Sequence, residues 1–213
     1  MRFPSLLAAA VLSFCPAAVA QTDQPAAGIP LEIADQRAAT ISDLRYGLTL
    51  TIPKLAGEPI AGEATLRFVL KEASAPLVLD FATSAAHVRS LSANGNAAFT
   101  WTNGHIVVPR GSLRAGENSL AISFTAGDAS LNRSADFLYA LFVPARANLA
   151  IPCFDQPSLK ARWTLALRVP RDATWQVVGN GELQSRAEVE AAGDAGAAKL
   201  TEYRFAETKP LPT

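Results

Sequence analysis

Few residues of this 213-residue chain have both the type and the spacing to do chemistry. A catalytic zinc site needs about three protein ligands, and the zincin arrangement sets His-Glu-x-x-His along one helix turn. The chain holds two histidines, His87 and His105, and neither has another histidine four residues away. Both fall in strand or turn context and read as ordinary surface or strand-end residues. Cys153 could be a nucleophile only with a base beside it, which His87 or His105 would have to supply in space. It lies between Pro152 and Phe154, and free cysteine usually behaves as a small buried hydrophobe, so it is read that way. No Gly-x-Ser-x-Gly elbow and no Gly-x-x-x-x-Gly-Lys phosphate loop is present. The acidic residues are scattered without a spacing that pairs two carboxylates. Asn132-Arg133-Ser134 matches a glycosylation triplet but reads as a loop accident.

The most distinctive segment is Pro152-Cys153-Phe154-Asp155-Gln156-Pro157, continuing through Lys160 into Arg162 and Trp163. Pro152 and Pro157 stiffen the two ends of a turn. Asp155 can accept hydrogen bonds from nearby backbone N–H groups, and Phe154 can plug an apolar core. On the residues alone this is a structural corner.

The elements that would hold such a corner are strands. Tyr46, Leu48, Leu50 and Ile52 alternate with Gly47, Thr49 and Thr51, and Ala64, Leu66, Phe68 and Leu70 repeat the pattern. Pro76 to Phe81 is a short apolar run that reads as a strand buried on both faces. Asn94-Gly95 and Asn103-Gly104 are hairpin dipeptides, because both residue types tolerate positive φ. A short strand around Phe99 to Trp101 lies between them, and Ile106 to Val108 follows. Leu120, Ile122 and Phe124 alternate again. After the corner, Trp163, Leu165, Leu167 and Val169 face one way, and Arg162, Thr164, Ala166 and Arg168 the other. Trp175 to Val178 is expected as a strand, Asn180-Gly181 as a turn, and Leu200 to Phe205 as the last strand. Ala187 to Ala198 is left as a loose helix or a loop. Many short strands between turn signals predict an all-β fold, an antiparallel sandwich or saddle, over residues 41–213.

Residues 1–20 have the pattern of a secretory signal peptide: Arg2, a short apolar run from Leu6 to Phe14, and Ala18-Val19-Ala20 before Gln21. Bulky Phe14 fits lipoprotein processing at Cys15 badly. Residues 21–40 are expected as a flexible lead-in. Cleavage leaves Cys153 as the one cysteine, so the exported part is held by its core rather than by a disulfide, as in a bacterial periplasmic or secreted protein. With 19 basic and 19 acidic residues there is no electrostatic reason to expect nucleic acid. No segment is long and apolar enough to be a membrane helix.

The corner resembles the "PCFDEP…KA.F" signature of the M1 zinc aminopeptidases. Other segments are similar in the same order: Tyr46-x-Leu48-x-Leu50, Leu79-Asp80-Phe81, Gly116-x-Asn118-x-Leu120-x-Ile122-x-Phe124, Trp175 to Gly181, and Phe205-x-x-Thr208-x-Pro210-Leu211-Pro212-Thr213. The resemblance implies the N-terminal β domain of that family, with Pro152, Cys153, Phe154, Asp155, Pro157 and Lys160 as a structural signature. It implies a partner, an aminopeptidase catalytic domain in cis or in trans. Zinc and the catalytic motifs are expected only there, no cofactor is expected in this chain, and a peptide substrate is expected only in the full-length context. In the family a Glu or Gln upstream of the signature helps grip the substrate amine. Phe142 and Val143 occupy that cleft-lining stretch, and valine's side chain cannot accept such a bond. Taken alone, the chain is expected to be catalytically silent. The competing expectation is a stand-alone β-sandwich binding or interaction module.

Overall fold

A computed structural model describes residues 24–143, 145–190 and 199–213. The leader read at 1–20, Pro144 and the 191–198 part of the Ala187–Ala198 segment lie outside these residues.

One helix, α1 (Leu31–Thr40), precedes the strands β1 (Ile41–Thr51), β2 (Ala61–Leu70), β3 (Leu77–Asp80), β4 (Val88–Ala93), β5 (Thr100–Thr102), β6 (His105–Val108), β7 (Gly116–Thr125), β8 (Leu131–Arg133), β9 (Leu138–Ala140), β10 (Arg162–Pro170), β11 (Leu183–Glu190) and β12 (Lys199–Phe205). A seven-stranded sheet runs β11-β12-β10-β1-β2-β7-β4, a three-stranded sheet runs β3-β6-β5, and β8 pairs with β9. All pairs are antiparallel except β1 with β10, which run parallel from Arg45 opposite Arg162 to Thr51 opposite Arg168. A parallel pair needs a long crossover, and everything from β2 to β9 supplies it.

Alternation put the inner faces where the strands require them. Tyr46, Leu48 and Ile52, then Ala64, Leu66, Phe68 and Leu70, then Leu120, Ile122 and Phe124 are buried. They share one apolar cluster with Leu77, Leu79, Ile106 and Val108 of the small sheet. Phe81 meets Phe124 edge-on across that cluster, with ring centroids 5.7 Å apart. Gly62 is what lets the ring of Phe124 lie flat against β2, because a Cβ there would overlap it. Asn94, Gly95, Asn103 and Gly104 all have positive φ, as a two-residue hairpin turn demands.

Five features differ from the expectation. Residues 31–40 are not a flexible lead-in but the helix α1, whose Arg37 is buried. Trp175 to Val178 has no strand partner: Trp175 and Val177 turn toward the core while Gln176 and Val178 face out, so the alternation is real but no ladder forms. Asn180-Gly181 is not a positive-φ turn. Its glycine is needed instead because a Cβ would strike the carbonyl of Ala206. Ala187 to Glu190 belongs to β11, paired along β12, rather than to a helix or loop. β10 does not divide into a dry and a wet face: Ala166 is buried, whereas Trp163 and Leu165 are half-buried.

Candidate functional site

The signature corner is stitched to the small sheet by its backbone. Asp80 N–H donates to the carbonyl of Cys153 at 2.8 Å, and Cys153 N–H donates back to the carbonyl of Asp80 at 3.1 Å. The corner thereby extends β3 on the edge away from β6. Phe154, fully buried, fills the space beneath, edge-on to Phe68 with centroids 6.0 Å apart. Its N–H donates to the hydroxyl of Tyr46 at 2.9 Å. Tyr46 in turn stacks on Trp163 with ring centroids 4.0 Å apart. Asp155 accepts from the N–H of Asn148 at 2.9 Å, and Gln156 donates to the carbonyl of Ala34 in α1 at 3.0 Å.

At the centre is Asp80, which is 1 % exposed. A buried carboxylate is costly unless every lone pair has a donor. Arg37 reaches it from α1 as a fork, at 2.7 Å to Oδ2 and 2.6 Å to Oδ1. His105 Nδ1 lies 3.1 Å from Oδ1, and the N–H of Asp155 donates to Oδ2 at 2.8 Å. Arg37 also donates to the carbonyl of Val78 at 2.8 Å and sits 5.3 Å from the centroid of the Phe154 ring. Helix, small sheet and corner therefore meet on one carboxylate.

The electrostatics follow from this packing. Burial alone would push the Asp80 carboxyl up, but the hydrogen bonds from His105 and Arg37 outweigh it and hold it below the usual carboxylate range. The bond to Asp80 raises His105 against the opposing effect of burial. Burial pushes Asp155 up. Burial likewise drives the Cys153 thiol and the Tyr46 phenol well up, so neither is poised as a nucleophile or a base near neutral pH.

The residues singled out in the sequence separate into two places. Pro152, Cys153, Phe154 and Asp155 are buried at the corner, while Pro157 and Lys160 are exposed at its end. Phe142 is half-buried against the core, and Val143 is 62 % exposed. Val143 ends a row of exposed apolar side chains, Phe137, Tyr139, Leu141 and Val143, that alternate along and beyond β9. Phe137 and Tyr139 stack with centroids 5.9 Å apart. His87 is half-buried, with Nδ1 2.9 Å from the hydroxyl of Ser84. His105 does stand at a strand end, the first residue of β6, but it is no ordinary surface histidine: it is 2 % exposed and belongs to the Asp80 cluster. Among the described residues there is no group of three or more His, Cys, Asp or Glu side chains placed to hold a metal ion. No helix among them is long and apolar enough to cross a membrane.

Sequence reasoning passed over Arg37 and the central role of Asp80. A usable signal was present for Asp80: an acid inside an apolar run buried on both faces must have a cationic partner. Nothing in the sequence pointed to Arg37.

The profile described as the Peptidase M1 N-terminal domain matches residues 43–213. The chain belongs to that family. No curated protein matches its sequence. Among solved structures, this M1 N-terminal domain is similar to an M1 zinc metallopeptidase from Deinococcus radiodurans, with a TM-score of 0.62 and 23% identity over 81% of this chain and 40% of that one. It is similar to a two-domain M1 zinc metallopeptidase bound to L-arginine, with a TM-score of 0.62 and 24% identity, again over 81% and 40%. It is also similar to leukotriene A4 hydrolase from Saccharomyces cerevisiae, with a TM-score of 0.59 and 21% identity over 82% and 28%. At these identities the likeness is one of fold. The M1 N-terminal domain thus spans less than half the length of these proteins.

Proposed function

We propose that this chain is the N-terminal β domain of an exported M1-type zinc aminopeptidase. The observation that carries this reading is the family match over residues 43–213 in a chain that spans 40% of a related metallopeptidase. In the full-length protein the domain packs on a catalytic domain and walls one side of the cleft that receives a peptide N-terminus. The row Phe137, Tyr139, Leu141 and Val143 supports this role, because an exposed apolar row calls for a covering surface. Val143 gives that wall no side-chain acceptor for an ammonium group, so amine recognition falls to the catalytic domain.

The described residues of this chain do not fit zinc. Both ring nitrogens of His105 are engaged, by Asp80 and by the carbonyl of Ala26, and the Cys153 thiol is buried and held protonated. The pattern of residues 1–20 supports export to the periplasm or the medium of a bacterium. The reading is tested by translating the DNA beyond the codon for Thr213 in all frames. His-Glu-x-x-His followed by a later Glu is the expected result. Its absence would overturn the aminopeptidase reading in favour of a stand-alone binding module.

A further inference from the structure

We infer that residues 24–28 form a strap held over the β5–β6 hairpin by the doubly protonated ring of His105, and that the strap releases as the pH rises. Three contacts hold it. Thr102 Oγ1 lies 3.3 Å from the Gln24 side-chain oxygen, Asn103 Nδ2 donates to the carbonyl of Pro25 at 3.0 Å, and His105 Nε2 lies 3.0 Å from the carbonyl of Ala26. In each the strap supplies the acceptor and the hairpin the donor. Two of the donors are neutral groups whose hydrogens do not titrate below pH ~9.

The third is different. Ala26 offers a carbonyl, which can only accept, and Asp80 Oδ1 on the other side of the ring is ionised and also only accepts. A neutral imidazole has one N–H and can satisfy only one of them. Both are satisfied only by the imidazolium. When the proton leaves, the bond to Asp80 is the one retained, because it joins a buried carboxylate that would otherwise lose a donor. The strap then faces a ring nitrogen with a lone pair, and a contact that held becomes repulsive.

The charges around the ring define the direction. Asp80 on β3 and Arg37 on α1 face it, with Asp155 and Cys153 of the corner behind Asp80. The strap brings backbone carbonyls, and the hairpin's Thr102 and Asn103 are uncharged. The carboxylate at 3.1 Å dominates and raises His105 above the ordinary histidine range. The sign follows from linkage: a group raised on folding contributes fully below its unfolded value, and the contribution is lost as pH rises through the folded value. The strap is therefore closed in mildly acidic solution and open in alkaline solution. Gly28, at φ +84°, is the joint between strap and α1, which stays docked through Arg37.

The test uses the full chain and nuclear magnetic resonance between pH 5 and 9. The His105 ring nitrogens report protonation, and backbone order parameters report residues 26–28. The expected result is an order parameter falling from about 0.85 to below about 0.6, with the same midpoint as loss of the second ring proton. His105→Phe, which has no donor at that position, is expected to leave the strap mobile at every pH, and His87→Gln to behave as wild type. As the chain has two histidines, these variants assign the transition. If His105→Phe does not fold, the wild-type ring titration and strap order still decide. A ring with one proton throughout, a ring doubly protonated throughout, or a strap equally ordered at both ends of the range would each overturn the proposal.

Discussion

The Asp80 cluster and the β9 row invert the usual placement of polar and apolar groups. Around Asp80, charge is inside: a carboxylate, a guanidinium and an imidazole are all but inaccessible, and the carboxylate is donated to from helix, hairpin and corner. Along β9 and beyond, Phe137, Tyr139, Leu141 and Val143 are outside and more than half exposed. In the first region both oxygens of the Asp80 carboxylate find their donors within the chain, although Arg37 Nε, Asp155 Oδ1 and Gln156 Oε1 beside it have no partner among the described residues. The second lacks a covering surface. A buried charge with all its partners holds elements together, whereas an exposed apolar row offers contact area. Architecture and interaction are thus kept at different places in this domain.

The hardest blow to the first region is Asp80→Ala. It strands the Arg37 guanidinium in the core and leaves His105 Nδ1 without its partner, and breaking a buried pair costs about 3–5 kcal/mol. Urea melts at neutral pH measure it, and a loss below about 1 kcal/mol would show that the cluster does not hold the elements together. Phe154→Ala, which empties the space under the corner, is expected to cost about 3–5 kcal/mol by the same measurement. Trp163→Ala should cost less than this, because the ring is half-buried on Tyr46. It should still exceed Arg162→Ala, whose partly exposed ion pairs with Asp43 and Glu207 contribute about 0–1 kcal/mol. Equal losses for Trp163 and Arg162 would reject the register of β10.

Acid gives a smaller effect with a defined sign. Asp80 is lowered on folding, so its contribution is present above the ordinary Asp value, about 3.9, and is lost as pH falls through its lower folded value. Asp155, raised by burial, contributes with the opposite sign just above the ordinary value. The fall in urea midpoint as pH drops to about 4 and below should flatten in Asp80→Asn and steepen in Asp155→Asn, which removes the opposing contribution. The smallest effect on stability belongs to the second region. Tyr139→Ser with Val143→Ser should shift stability by no more than about 0.5 kcal/mol while reducing self-association in sedimentation. Phe142→Ser, in contact with the core, should destabilise instead. Similar losses from both variants would place Val143 in the core and erase the contrast.

Much of the frame was legible because alternation is a local property. Tyr46 to Ile52, Ala64 to Leu70 and Leu120 to Phe124 each carry their face in their own spacing, and Asn94-Gly95 and Asn103-Gly104 carry their turns. What was not legible depends on distant partners. Arg37 and Asp80 are 43 residues apart, and no local pattern joins them. Trp175 to Val178 alternates as a strand does, yet whether it pairs depends on a neighbour elsewhere in the chain. The corner was readable as a corner from Pro152 and Pro157, but its attachment to β3 through Cys153 is a tertiary fact. His105 was readable as a strand-end residue, but not its burial, because only the fold brings Asp80 and Ala26 to its two nitrogens.

The chain carries the architecture of the M1 N-terminal domain, and we propose that the zinc chemistry of the family lies outside its described residues. The most direct measurement is metal content and aminoacyl-reporter hydrolysis on the purified chain after dialysis against buffer with added zinc. The account predicts zinc well below one ion per chain and no hydrolysis above the buffer rate. Stoichiometric zinc together with chelator-sensitive release of an N-terminal residue would contradict it.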